Sequence, residues 1–161
     1  MPAEAPYIGV IGASQASERE LALAERVGEL IAARGAVVIC GGEGGVMDAV
    51  SRGATRSGGM VVGLLPGEDR SRANPWLTVA LPTGLGELRN ALIVRACNAL
   101  IAVGGSWGTL SEIALALRVG RPVFGLGTWE LERPGAAGAV VAVSDPAEAV
   151  EAALAGAPSG S

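Results

Sequence analysis

Short β-branched runs alternate along this chain with stretches whose apolar residues recur every three or four positions, the pattern of strands and helices taken in turn. Residues 7–11 form the first such run, closed by Gly12-Ala13-Ser14, and Ser17-Glu18-Arg19-Glu20 then offers a capping box. Leu21, Ala24, Val27 and Leu30/Ile31 sit at helical spacing until Arg34-Gly35 ends the helix ahead of a second strand at 36–40. Two strands joined by a helix make a βαβ unit, and the alternation continues. Helix to about 57, strand 60–65, polar stretch 66–75, strand 76–81, helix about 86–97 and strand 99–103 follow in order. A helix after Gly104, a strand at 123–126, a Pro/Gly-rich loop at 132–138, a last strand at 140–143 and a helix opened by Asp145-Pro146 complete the chain.

This pattern predicts an α/β fold: a three-layer, doubly wound, mostly parallel, Rossmann-like sheet of about six or seven strands. One domain over 1–155 is expected, with a disordered tail at 156–161. Two helices carry apolar residues on more than one face. In the first, Leu88, Leu92 and Ala96 make the expected core stripe while Ile93 and Val94 lie off it; in the second, Leu110, Ile113, Ala114 and Leu117 make one face while Leu115 and Val119 add another. In so small a domain the surplus suits a second copy, so a homo-oligomer, dimer or tetramer, is expected.

Composition narrows the partners. All 12 basic residues are arginine, histidine is absent, and the net charge is −4. A weakly acidic chain with few stacking aromatics lacks the basic footprint of a nucleic-acid binder. Cys40 and Cys97 form no CxxC pair, so no metal site is expected, and both read as buried thiols of a reduced, cytoplasmic protein. No targeting signal and no apolar run of membrane-spanning length is found, so no membrane partner is expected.

Candidate chemistry lies in two glycine-rich strand-to-helix turns. The first, Gly41-Gly42-Glu43-Gly44-Gly45 leading to Met47, holds more glycine than a plain turn requires, which means either close packing or backbone approach to a ligand. The second is Gly104-Gly105-Ser106-Trp107-Gly108-Thr109, where free helix N–H groups and the dipole suit an anion. Both turns lie at the same sheet edge in a parallel fold. Neither is a Walker A loop, since the chain has no lysine, and GxGxxG is absent from the first turn. Glu112 is either the far end of a Thr109-Leu110-Ser111-Glu112 capping box or a carboxylate beside a ligand; Arg89 is either an exposed helix arginine or a site cation. Trp107 either stacks on a base or packs across a subunit boundary. Arg70 and Arg72 lie in the polar loop, solvated or closing over a phosphate.

GGEGGVMDAVSRGA at 41–54, Asn74-Pro75, Arg89-Asn90 and GGSWGTLSE at 104–112 together resemble the Rossmann-like family named lysine decarboxylase-like, which includes the Lonely guy phosphoribohydrolases. The similarity spans residues 8–126. It implies cleavage of the N-glycosidic bond of nucleoside 5′-monophosphates, with Arg89 and Glu112 on the family's catalytic positions. The ligand-binding set it implies is Gly41, Gly42, Gly45, Met47, Asn90, Gly105, Ser106, Trp107, Gly108 and Thr109. In that hydrolase the phosphate rests on the N–H groups of 105–109, Glu112 touches the ribose, Arg89 holds the departing base, and Glu43 is the remaining candidate for a second carboxylate. Asn90 replaces the family's lysine, Gly104 its proline, Ser106 its second glycine and Ser111 a common acid. The Arg-Asn pair and the NP loop resemble more closely the branch of molybdenum cofactor carrier proteins, which bind a phosphorylated pterin and do no chemistry on it. DNA-processing protein A is a more distant relative. A decarboxylase is excluded for want of a Schiff-base lysine. The expectation is therefore a binder of a small phosphorylated ligand with no resident cofactor: a nucleoside 5′-monophosphate, hydrolysed, or as the alternative a carried pterin.

Overall fold

The computed structural model describes residues 4–135 and 139–157. Strand β1 (Tyr7–Gly12) leads into helix α1 (Glu18–Ala33), which begins at the predicted capping box: Glu20 N–H donates to Ser17 Oγ at 3.2 Å and Ser17 N–H donates to Glu20 Oε2 at 2.7 Å. Its inward stripe, Ala24, Val27, Gly28 and Ile31, has the spacing of one helical face. Strand β2 (Val37–Cys40), helix α2 (Val46–Arg56), strand β3 (Met60–Leu65) and strand β4 (Val79–Pro82) follow. A one-turn 3₁₀ helix (Gly86–Leu88) then opens helix α3 (Arg89–Ala96), ahead of strand β5 (Ala99–Val103), helix α4 (Trp107–Arg118), strand β6 (Val123–Leu126), strand β7 (Val141–Ala142) and helix α5 (Pro146–Gly156).

The strands form one seven-stranded sheet in the order β4-β3-β2-β1-β5-β6-β7, every pairing parallel. Side chains alternate between its faces. Ile8, Val10, Val38, Cys40, Ile101 and Val103 pack under α1, α2 and α5, while Ile11, Ile39, Leu100 and Ala102 pack under α3 and α4. Chain order reverses between β1 and β5, the position where open α/β sheets leave a crevice at their carboxyl edge. Pro82, which lacks an N–H, is tolerated because β4 is an edge strand.

Several elements depart from expectation. Residues 66–78 cross from β3 to its parallel neighbour β4 without a helix, pinned where Asn74 N–H donates to Gly42 O at 2.8 Å and Asn74 Nδ2 donates to Glu43 O at 3.1 Å. This pin delays the strand: Trp76, expected within it, donates its N–H to Asn74 Oδ1 at 3.0 Å and lies over Arg56 instead. In α3 the expected stripe is reversed. Ile93 and Val94 are buried, whereas Leu88 is 73% exposed and Leu92 and Ala96 face outward, because the preceding 3₁₀ turn resets the phase of the helix. In α4 the buried stripe is Thr109, Glu112, Ile113 and Ala116, one step round from the expected face, and Ala114 is exposed. Gly156 closes α5 rather than opening a tail; residues 158–161 of that expected tail lie outside the described residues, as do 136–138 of the Pro/Gly-rich loop. Among the described residues no helix is long and apolar enough to cross a membrane, and both cysteines are free and buried.

Candidate functional site

At the carboxyl edge, beside the β1–β5 reversal, lies a cavity of about 160 Å³. It is walled by the end of β1 with Gly12 and Ser14, by the β2–α2 turn, and by the first turns of α3 and α4. Gly41, Met47, Arg89, Asn90, Ser106, Gly108, Thr109 and Glu112, all predicted from sequence, line it together. A wider cleft of about 490 Å³ adjoins it, shares Glu43, Arg89, Asn90 and Gly108, and adds Trp107, Glu87 and Ser111. Three predicted residues lie elsewhere. Gly42 is packed against Leu65, Gly63 and Leu77; Gly45 faces a separate hollow beside Asp48; Gly105 lines a hollow with Thr128 and Trp129. Ser14 and Gly12 went unremarked as site residues because their turn carries no motif, and only the crevice rule for parallel sheets points to them.

The two glycine-rich turns are not equivalent. At the first, Gly45 adopts φ 66° and a side chain there would meet Ala13 O at 2.3 Å, so glycine is needed for close backbone packing. Val46 N–H donates to Ala13 O at 3.1 Å, and Asp48 already sits in the first turn of α2, which leaves that helix start poorly suited to an added anion. At the second, α4 starts at Trp107, and Ser106 N–H donates to Thr109 Oγ1 at 3.2 Å. The N–H groups of Trp107 and Gly108 find no acceptor within the helix, and both residues line the cleft, Gly108 the cavity as well. Of the two helix starts, this is the one whose unpaired N–H groups could receive an anion.

Because the helix begins at Trp107, Glu112 lies beyond its first turn and does not cap it. Its residue is 8% exposed, on the inward stripe of α4, and among the described residues its carboxyl makes no hydrogen bond and no ion pair. Burial pushes the Glu112 carboxyl up to about 7, against the opposing pull of the Arg89 charge. The nearby Cys40 thiol is likewise pushed up, chiefly by burial, and stays neutral.

Arg89 is neither an exposed helix arginine nor a free cation. Nη1 donates to the carbonyls of Gly41 and Leu64, Nε donates to Asn90 Oδ1 at 2.9 Å, and Nη2 lies 3.5 Å from Glu43 Oε1. It ties the carboxyl ends of β2 and β3 together and lends the cavity its charge more than its donors. Glu43, held between Arg89 and the exposed Arg72 at 2.9 Å, is a charge partner; Arg72 closes on Glu43 rather than on a free anion subsite. Chemically, the arrangement could pair an anion at the start of α4 with a carboxyl whose pKa burial raises to about 7. Trp107 is 77% exposed at the cleft rim and rests on Trp129, ring centroids 5.1 Å apart.

Residues 5–150 match the SLOG cluster4 family. The chain belongs to this family. An uncharacterized protein from Archaeoglobus fulgidus is 48% identical over 119 residues, 74% of this chain and 78% of that one. Among solved structures, the molybdenum cofactor binding protein of the phototrophic bacterium Rippkaea orientalis superposes with a TM-score of 0.87 at 34% identity, covering 94% of this chain and 97% of that one. The molybdenum cofactor carrier protein of Chlamydomonas reinhardtii gives 0.84 at 34% identity, covering 95% and 98%. The SLOG cluster4 assignment and these neighbours agree with the branch that the Arg89-Asn90 and Asn74-Pro75 motifs resemble, and with the three-layer α/β fold read from the strand and helix pattern.

Proposed function

We propose that this chain is a carrier: it holds a phosphorylated pterin of the molybdenum cofactor type, phosphate against the start of α4, and does no chemistry on it. The observation that carries this reading is the isolation of Glu112. Cleavage of a glycosidic bond ordinarily uses two carboxyl groups in acid, base or nucleophile roles, and the second candidate, Glu43, is engaged by Arg89 and Arg72. Arg89, with its donors directed at backbone carbonyls, is likewise committed to the rim of the site. The two molybdenum cofactor proteins, alike over nearly their full length, support the same reading.

A second reading rests on one observation. A carboxyl near pH 7 is poised for general acid–base work, which is what hydrolysis of a nucleoside 5′-monophosphate requires. Incubation with adenosine and guanosine monophosphates, followed by chromatography for free base, separates the two. A carrier releases none and is stabilised against heat by the phosphorylated pterin. Free base that disappears in Glu112→Ala refutes the carrier and establishes the hydrolase.

A further inference from the structure

Glu112 stands four residues after Gly108 and three after Thr109, on the helix face that carries both, and the Cα–Cβ bonds of a helix lean toward its N-terminus. The side chain therefore leans back along α4 toward the turn that opens it. Glu112, Ser106, Gly108 and Thr109 line one compartment of about 160 Å³, smaller than the roughly 300–1,000 Å³ of ordinary ligand pockets. In so small a space, a phosphate seated at the start of α4 and the Glu112 carboxyl are neighbours.

The two groups carry charge of the same sign, and the lining offers little to offset it. Glu112 is 8% exposed, and among the described residues its carboxyl has no hydrogen-bond or ion-pair partner. Arg89, the one cation among the described residues of the lining, directs Nη1 and Nε at Gly41 O, Leu64 O and Asn90 Oδ1, while Nη2 faces Glu43. Its charge is therefore shared with Glu43 before any anion enters.

The other neighbours add no charge. Cys40 of β2 and Cys97, just after α3, are thiols that burial holds neutral. Strands β5 and β6 hold no titratable residue, Tyr7 is at the opposite end of β1, and Arg118 is at the far end of α4. Glu20 and Glu130 line the separate hollow behind Gly105. Two like charges confined together relieve their repulsion by holding one proton between them, as paired carboxylates do.

The proton is available near neutrality. Burial raises the Glu112 carboxyl to about 7, and a phosphate monoester loses its second proton at about 6, so above pH 7 both are mostly ionised when apart. We propose that the site takes its phosphate together with one proton, which Glu112 shares with the bound anion, so that Glu112 sets the pH range over which the ligand is held. This rests on the reading of the start of α4 as the phosphate seat and adds its regulation. The proton comes from solvent and returns to it on release; no covalent bond forms or breaks. Above pH 7 the complex holds more protons than its separated parts, so affinity falls as pH rises, by about 15-fold between pH 7 and 8.5 for a carboxyl that titrates near 7.

The test is titration calorimetry on the full chain at pH 8, in HEPES and in Tris, with a pterin bearing a phosphate monoester and with inorganic phosphate as probes. The difference in heat between buffers of unlike ionisation enthalpy counts the protons. The wild type should take up most of one proton per bound pterin phosphate and lose affinity over pH 7 to 8.5 as above. Glu112→Gln should take up none and keep a level affinity over that range. The wild-type proton count and pH slope stand by themselves if the variant does not fold. Binding without proton uptake in the wild type, or equal uptake in Glu112→Gln, overturns the proposal and leaves the phosphate seat standing. Failure of both probes to bind overturns both.

Discussion

Replacing Glu112 by glutamine should make the protein more stable at alkaline pH and leave it nearly unchanged in acid. The carboxyl has a folded-state value near 7, raised by burial from an ordinary 4.5. A raised value means that the folded state binds the proton more tightly than the unfolded state does, so unfolding releases it and stability falls as pH rises. Below about pH 4.5 both states are protonated and no penalty exists. Between 4.5 and 7 the penalty grows by about 1.4 kcal/mol per unit, and above 7 it levels off at about 3 kcal/mol. Glutamine keeps the shape and cannot ionise, so the difference between variant and wild type should follow that curve. For a domain of this size it corresponds to roughly 6–12 °C in Tm at pH 8. Thermal unfolding of both proteins from pH 4.5 to 8.5 at constant ionic strength measures it, and the remaining carboxylates, common to both, cancel in the difference. Parallel Tm profiles, or a gap that widens toward acid, would refute the argument that a buried, unpartnered carboxylate forms in the folded protein.

Two further outcomes concern assembly and packing. If Leu88 of the 3₁₀ turn and Leu92 of α3, both exposed, cover a second copy in the expected homo-oligomer, Leu88→Glu combined with Leu92→Glu should reduce the mass seen by light scattering to the 16.0 kDa of one chain; a wild type that already runs at that mass sinks the expectation. Helices α1 and α2 cross in backbone contact, where a side chain on Gly53 would meet Glu25 O at 2.0 Å. Gly53→Ala should therefore cost roughly 1–3 kcal/mol, read as a Tm lower by several degrees, whereas Gly44→Ala, with nothing within 4 Å, should change little; equal effects would show that the crossing relaxes freely.

The order of strands and helices was legible because β-branched runs and glycine punctuation recur without interruption, and Ser17-Glu20 and Asp145-Pro146 marked their helix starts correctly. Helix phase was less legible. α3 carries two apolar stripes, and only the 3₁₀ turn ahead of it selects Ile93 and Val94 over Leu88 and Leu92. In α4 the inward stripe includes Thr109 and Glu112, polar residues that a hydrophobic template passes over because their burial serves the cavity and not the core. For the same reason the glycines of the first turn overstated their part: Gly42 and Gly45 serve backbone packing, which composition alone cannot separate from ligand contact.

The position of Arg89 bears on how any mutational survey of this cleft should be interpreted. Its guanidinium takes the carbonyl of Gly41, just past the end of β2, and that of Leu64, the penultimate residue of β3. Removing it would leave those oxygens unmet and let the rim spread, so a weakened ligand affinity in such a variant would report lost scaffolding as much as lost charge. Attraction between the cleft and a phosphate is better measured with every side chain in place, as the slope of affinity against salt concentration.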